Sequence, residues 1–127
     1  MFALGGLHLV AVDSGGAIVG YTLAFARDDP YDGEEFQYFA AQISRLFLYI
    51  DQVAVARLEQ RQGVGRQLYL ALRNRAEDRG IRVLCCEVNT SPPNPISLEF
   101  HRQLGFSQTG SRTVRDGRTV ALLVSTL

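Results

Sequence analysis

The segment Gln60-Arg61-Gln62-Gly63-Val64-Gly65 constrains the fold of this chain more than any other part of the sequence. An apolar run at residues 46–56 precedes it, and a run with helical spacing at residues 64–79 follows it. This order predicts a strand, a glycine loop and a helix. The first N–H groups of a helix have no partner within the helix, and glycines let a ligand approach them closely. The segment therefore predicts a phosphate-binding loop.

Two well-known phosphate loops do not match this segment. A P-loop has Lys directly after its second glycine, and this chain contains no Lys. A dinucleotide-binding fingerprint has a third glycine three residues after the second, where this chain has Leu68. The segment alone therefore does not indicate which phosphate ligand it binds, and the flanking sequence has to be considered.

The remaining sequence alternates between strand and helix patterns. Asp13-Ser14-Gly15-Gly16 separates two branched and aromatic runs, which predicts a hairpin. A strand, helix and strand in succession form a crossover, so the strand after the long helix should pair in parallel with the central strand. Asn94 is a good N-cap for a short helix with Pro95 at its first position. The predicted strands are residues 7–12, 17–26, 46–56, 81–88, 106–110 and 119–126, and the predicted helices are residues 34–42, 64–79 and 95–104.

Length and composition favour one soluble domain. The chain has 127 residues, of which 46% are hydrophobic, and this suffices to bury a core. Its 13 positive and 13 negative side chains cancel, so the net charge gives no reason to expect a nucleic-acid partner. Neither a membrane span nor a signal peptide is recognisable, and a cytoplasmic location is expected. Cys85 and Cys86 are adjacent in a predicted strand and should point to opposite faces, which predicts reduced core thiols.

Two motifs, in a characteristic order and spacing, resemble a known family. Gln60, Gly63 and Gly65 match the pattern Gln/Arg-x-x-Gly-x-Gly/Ala. Further along, Phe100-His101-Arg102-Gln103-Leu104-Gly105-Phe106 is similar to Phe-Tyr-x-x-x-Gly-Phe, with His in place of Tyr. With Val53-Ala54-Val55 ahead of the loop, the chain resembles the GNAT acetyltransferase superfamily, and within it a small bacterial subgroup.

The resemblance implies a fold and a cosubstrate. The fold is GNAT-like α/β (α+β), with a mixed, mostly antiparallel sheet, a splayed parallel central strand pair and flanking helices. The cosubstrate is acetyl-CoA, without a metal. Central-strand backbone groups would bind the pantetheine arm and the glycine loop would bind the pyrophosphate, whereas the residues alone also allow a plain core strand and a solvated loop. The expected cofactor-binding residues are Val53, Ala54, Val55, Arg61, Gln62, Gly63, Val64, Gly65, Arg66, Asn94 and Ser97.

Three residues are candidates for the acid and base chemistry of acetyl transfer. Asp51 lies on the central strand, where many family members have an acidic residue, and the alternative is a carboxylate paired with Arg. Glu87, on the next strand, is the competing base. His101 stands where the family usually has Tyr, and an imidazole can protonate the leaving thiolate; the alternative is a histidine with a structural role. An acidic segment at residues 28–35 either attracts a cationic amine or forms a solvated loop.

The resulting hypothesis is an acetyl-CoA-dependent N-acetyltransferase that transfers the acetyl group directly to an amine on a small molecule or a peptide. The alternative is a CoA-binding module or partner subunit without independent catalysis. In the predicted single domain of residues 1–127, only six residues precede Leu7, so the family's first strand and first two helices have no counterpart. An upstream start, the segment at residues 34–42 or a second subunit of a homodimer would account for this gap.

Overall fold

A computed structural model describes residues 6–57, 60, 63–91 and 93–127. Over these residues, six strands form one sheet with the order β1-β2-β3-β4-β6-β5, and three helices accompany it. The predicted α/β class and the predicted order of elements are therefore confirmed. The elements are β1 (Leu7–Val12), β2 (Ile18–Ala26), α1 (Glu34–Gln42), β3 (Phe47–Val55), α2 (Val64–Asp78), β4 (Val83–Ser91), α3 (Pro95–Gln103), β5 (Ser107–Thr113) and β6 (Thr119–Thr126).

The strands β3 and β4 form a parallel pair in the middle of an otherwise antiparallel sheet. Their pairing begins at Phe47 and Val83 and ends at Tyr49 and Cys85. Both strands continue well beyond this point, β3 to Val55, but they no longer pair with each other. The splayed central pair is thereby confirmed, and the β4-facing edge of the second half of β3 is left open to a ligand.

An irregularity in β3 lies at Asp51. Leu23 of β2 is opposite Gln52, and the next β2 residue, Ala24, is opposite Ile50. Asp51 therefore has no residue directly opposite, as in a β-bulge, which bends a strand and redirects its side chains. The last residue of β3 that pairs with β4 is Tyr49, two residues before Asp51, so the bulge lies close to the point where the two strands separate.

The sheet has an apolar core on each face. One core joins α2 to the sheet through side chains such as Tyr69, Leu72 and Ala76, and includes Cys86. The other core joins α1 to the sheet through Phe36 and Phe39, and includes Cys85. The two free thiols are buried and belong to different cores, so the prediction that both are core residues on opposite faces is confirmed. None of the described helices is long and apolar enough to cross a membrane.

Two predicted strands differ from the structure by more than one residue at an end. The strand expected at residues 81–88 begins at Val83 and extends to Ser91, because its pairing with β6 continues to Thr119. The strand expected at residues 106–110 runs from Ser107 to Thr113, an edge strand with few apolar residues. Its bonds to β6 come from the backbone, and a hydrophobic pattern does not detect them.

Two neighbouring residues of α2 differ sharply in exposure. The apolar side chain of Leu70 is 47% exposed, whereas Tyr69 beside it is only 1% exposed. Tyr69 lies about one turn from Leu72 and two turns from Ala76 on the buried side of the helix. This difference matters for function because it brings a hydroxyl group into the interior of the protein.

Candidate functional site

Two adjoining cavities occupy the region where β3 and β4 separate. The first, called the splay cavity, has a volume of about 360 Å³ and is lined by Ile50, Asp51, Gln52, Val53, Ala54, Tyr69, Cys86, Glu87, Ser97 and His101. The second, called the loop groove, has a volume of about 580 Å³ and is lined by Val53, Val55, Gln60, Gly63, Gly65, Arg66, Tyr69, Asn94, Ile96, Ser97, Phe100, His101 and Gln103. Four residues line both: Val53, Tyr69, Ser97 and His101. The cavities therefore meet beside these four side chains.

The loop groove reaches the first turn of α2. Gly63 is the N-cap of this helix and has a φ of 83°, in the left-handed region that favours glycine. Among the described residues, no side chain caps the helix, and no atom lies within 4 Å of the position that a Cβ on Gly63 would take. The first N–H groups of α2 are thus available to an anion, and Arg66 adds a positive charge at the groove.

The structure places the predicted cofactor-binding residues in different parts of the two cavities. Arg61 and Gln62 lie outside the described residues. Ala54 lines the splay cavity. The side chain of Val64 points towards β2, with Cγ1 3.2 Å from where a Cβ on Gly20 would lie, so its backbone N–H is the group that a phosphate would meet. The others line the loop groove: Val53, Val55, Gly63, Gly65, Arg66, Asn94 and Ser97.

Two residues of the loop groove also have structural bonds. Asn94 caps α3 as predicted, since its side-chain oxygen accepts a hydrogen bond from the backbone N–H of Ser97 at 3.3 Å. Gln60 donates from Nε2 to the carbonyl of Val55 at 3.2 Å, which ties the glycine loop to the end of β3. The loop and the strand end are therefore connected on one side of the groove.

The splay cavity contains both predicted carboxylates. Oδ1 of Asp51 accepts a hydrogen bond from the hydroxyl of Tyr31 at 3.0 Å. Oε2 of Glu87 accepts one from the hydroxyl of Tyr49 at 2.6 Å. The described residues form three ion pairs, and none involves Asp51, so the Arg pairing considered from the sequence is not found among them.

Glu87 is placed to exchange a proton near neutral pH. Burial raises the pKa of its carboxyl group from about 4.5 to about 7, and the negative charges of Glu35 and Asp51 also raise it, whereas the Tyr49 hydrogen bond lowers it. A general base works best when its pKa lies close to the working pH. The carboxyl group of Glu87 has this property.

His101 lies where the two cavities meet, and both of its ring nitrogens are engaged. Nδ1 lies 2.7 Å from the carbonyl oxygen of Ser97, which can only accept, so Nδ1 carries the proton. Burial lowers the pKa of His101, which favours the neutral ring. In that state Nε2 is an acceptor, and the hydroxyl of Tyr69, 2.5 Å away, donates to it.

The sequence reasoning missed the three tyrosines that hold these groups. Tyr31, Tyr49 and Tyr69 carry the hydroxyls that contact Asp51, Glu87 and His101, respectively. Each is an aromatic residue within an apolar or loop pattern and so resembles a core residue. The one available signal was the need for a buried tyrosine hydroxyl to find a partner.

Comparison with known proteins agrees with this geometry. A family model described as the Acetyltransferase (GNAT) family matches residues 2–106. No protein of curated function matches the sequence.

Solved structures of acetyltransferases share the fold. The NatC complex bound to Gag peptide and CoA has a TM-score of 0.73 and 17% identity, and the match covers 94% of this chain and 70% of that one. A GNAT family acetyltransferase from Elizabethkingia anophelis with acetyl-CoA bound has a TM-score of 0.71 and 20% identity, covering 96% of this chain and 76% of that one. The ribosomal-protein-S18-alanine N-acetyltransferase from Escherichia coli has a TM-score of 0.69 and 21% identity, with 95% and 68% covered.

These identities are low, so the structures establish the fold, and the family model establishes the family. The match to that model covers most of the sequence and includes the glycine loop and the α3 motif. The chain therefore belongs to the acetyltransferase (GNAT) family and is an N-acetyltransferase by that membership.

Proposed function

We propose that this protein transfers the acetyl group of acetyl-CoA directly to an amine bound in the splay cavity, with Glu87 as the base. The observation that carries the proposal is that Val53, Tyr69, Ser97 and His101 line both cavities. An acetyl thioester reaching from the loop groove would meet the amine beside these four side chains. Direct transfer requires such a meeting point, because the enzyme gains most from holding the two reactants together.

The loop groove suits the cosubstrate. The uncapped N-terminus of α2, with Gly63 and Arg66, would bind the pyrophosphate through backbone N–H groups and one charged side chain. The backbone of Val53–Val55, on the part of β3 that does not pair with β4, would bind the pantetheine arm as an additional strand would. Arg61 and Gln62 remain candidates for the same pyrophosphate contact from the sequence pattern.

Glu87 is favoured over Asp51 as the base. The carboxyl group of Glu87 has a pKa of about 7, so near that pH a large fraction of it is ionised and able to take a proton from the attacking amine. It sits on the strand opposite β3, across the splay. Asp51 lies in the same cavity, and this proton transfer does not require its charge.

The proton for the departing thiolate comes from Tyr69 in this scheme. Because Nδ1 of His101 donates to Ser97, the proton between His101 and Tyr69 belongs to the Tyr69 hydroxyl. As the C–N bond forms and the C–S bond breaks, the amine gives its proton to Glu87. The Tyr69 O–H turns from Nε2 of His101 to the sulfur and gives its proton to the departing thiolate. Glu87 then returns its proton to Tyr69 through the cavity that both line. His101 positions the hydroxyl.

Two measurements on the intact protein test the proposal. Calorimetric titration with acetyl-CoA measures binding, and thiol release across a panel of amines measures transfer. We expect binding without any amine present, and thiol release that depends on both the amine and Glu87, so that Glu87→Gln binds acetyl-CoA normally and turns over slowly. Glu77→Gln, an exposed change on α2, is the matched control.

The outcomes separate the alternatives. Binding without turnover for every amine would point to a CoA-binding module or partner subunit. Failure to bind acetyl-CoA would contradict both readings of the site. Normal turnover by Glu87→Gln would leave acetyl transfer intact but remove Glu87 as its base.

A further inference from the structure

The splay cavity holds one carboxylate more than acetyl transfer needs. Its ten lining residues include Asp51 and Glu87 but no Arg, and burial lowers the pKa of its one imidazole, His101, which favours the neutral ring. Direct transfer to an amine uses a single base. If Glu87 is that base, the charge of Asp51 has no part in moving the proton.

We propose, on the basis of the function proposed above, that the acceptor is a small amine with a second cationic group, and that Asp51 binds this second group. The reacting nitrogen would lie towards Glu87 and the thioester, and the spectator ammonium towards the bulge in β3. The substrate class is therefore a short-chain diamine or an alkylamine with a terminal cation.

The environment of Asp51 makes it a fixed binding group. The bulge removes Asp51 from the β2–β3 ladder. Tyr31 donates to Oδ1, and the ring of Tyr31 is itself stacked on Phe25 with centroids 4.0 Å apart and an angle of 3°. A carboxylate accepts up to about four hydrogen bonds, so the Tyr31 bond leaves acceptor capacity for an ammonium group.

The surrounding charges favour a cation. Two further acids add negative charge near the cavity. The charge of Asp32, in the loop, interacts with the hydroxyl of Tyr31, and the charge of Glu35, on α1, interacts with the carboxyl group of Glu87. Arg118 is the cation that acts on Glu87, but its guanidinium donates to Asp116 and to Asn89. A carboxylate in a partly closed cavity is costly to leave unpaired, and a cationic substrate removes that cost.

The size of the cavity limits the acceptor. A volume of about 360 Å³ holds on the order of a dozen water molecules at roughly 30 Å³ each. The acetyl group and the end of the pantetheine arm also enter this space. A chain of a few carbon atoms between two nitrogens fits the remainder.

A panel of matched acceptors tests the inference. It consists of 1,4-diaminobutane, 1-aminobutane, 4-amino-1-butanol and 4-aminobutanoate, with an alanine-initiated tripeptide as the peptide acceptor. We expect kcat/KM for the diamine to exceed that for 1-aminobutane by at least tenfold, and 4-aminobutanoate to be the poorest of the four. Equal values for the diamine and the monoamine, or a higher value for the tripeptide than for the diamine, would overturn the proposal.

Substitutions then assign the preference to one residue. Asp51→Asn should reduce the ratio of kcat/KM for diamine over monoamine at least tenfold, through KM for the diamine. Asp78→Asn, which removes an exposed acid at the end of α2, should leave the ratio unchanged. An equal fall for both amines in Asp51→Asn would show that Asp51 acts in the chemistry, and would contradict the proposal.

The inference and the proposed function fail in different ways. If the protein binds acetyl-CoA but transfers to no amine, the proposed function fails. Calorimetric binding of the diamine and the monoamine to the CoA-saturated protein then still measures the preference. A diamine that binds at least tenfold more tightly, with the difference lost in Asp51→Asn, would support the inference, and equal affinities would overturn it.

Discussion

At the residue scale, Tyr69 joins the buried core to the site. Its ring packs edge to face with Phe100 and Phe106, and its hydroxyl lies 2.5 Å from Nε2 of His101. Burial raises the pKa of Tyr69 well above its usual value, so the hydroxyl keeps its proton at every working pH. A tyrosine with these properties can serve packing and proton delivery together.

The first prediction concerns this hydroxyl. Tyr69→Phe should lower kcat by about 100-fold, the lower end of general acid–base effects, with acetyl-CoA affinity nearly unchanged. His101→Phe should lower kcat in the same direction, because it removes the acceptor that orients the hydroxyl. The control is Tyr38→Phe on α1, whose ring contacts Phe39 and Arg112 and lines neither cavity. A Tyr69→Phe protein with wild-type kcat would exclude the hydroxyl as the proton source.

The second prediction follows from the raised pKa of Glu87. Turnover should rise with pH and level off above about pH 7, because only the ionised carboxylate accepts a proton. Glu87→Gln should lose this inflection. If the variant retained the inflection at the same pH, another group would be responsible for it.

The second prediction also has a counterpart in stability. The raised pKa of Glu87 should make the free energy of unfolding fall with pH over the range where turnover rises. The folded protein holds the Glu87 proton to about pH 7, whereas the unfolded chain releases it near pH 4.5. Stability from this group therefore falls as pH rises through that interval, by up to about 3 kcal/mol at 1.36 kcal/mol per pKa unit. Urea titrations should show that the free energy of unfolding of Glu87→Gln increases relative to that of the wild type between pH 4.5 and 7.5. If the two proteins showed the same dependence on pH, the raised pKa of Glu87 would be contradicted.

At the element scale, α2 has an uncapped first turn beside the loop groove and packs one side into the core. The third prediction compares two arginines on this helix. Arg66→Gln should weaken acetyl-CoA binding about fivefold, as expected for one partly exposed charge-assisted bond, while Arg75→Gln in the last turn should not. Calorimetry measures both affinities. Equal weakening by the two changes would indicate a general effect of net charge.

The fourth prediction compares two leucines on the same helix. Leu72 is completely buried, so Leu72→Ala should cost about 2–5 kcal/mol in the free energy of unfolding. Leu70 is 47% exposed, and Leu70→Ala should change it by no more than about 0.5 kcal/mol. Urea titration measures the free energy of unfolding of both variants. Similar losses would mean that Leu70 contributes to the buried side of α2 as Leu72 does.

Much of this element structure was predictable from sequence, because the signals are local. Gly63 and Asn94 mark helix starts that the structure confirms, with a positive φ at one and a side-chain cap at the other. The bulge at Asp51 was not predictable, since it depends on the register against β2. The Tyr69–His101 bond joins residues 32 positions apart on two helices, and nothing in either local pattern indicates it.

At the scale of the whole molecule, the two cores lie back to back across the sheet. Cys85 and Cys86 belong to one core each, and burial raises the pKa of both thiols. The fifth prediction is that neither thiol reacts with a disulfide reagent in the folded protein faster than the protein unfolds, and that both react at one rate. Denaturant should release two equivalents. One rapidly reacting thiol would show that one core opens alone.

The splay also divides the sheet into two halves, β1-β2-β3 and β4-β6-β5, joined by only three paired positions along β3 and β4. This seam is the narrowest join between neighbouring strands in the described sheet. A pantetheine arm hydrogen-bonded along the open edge of β3 would extend the contact between the two halves of the sheet and connect them more firmly. The hydrogen bonds that hold the acetyl donor would then also hold the protein together, and resistance to heat would measure cosubstrate occupancy.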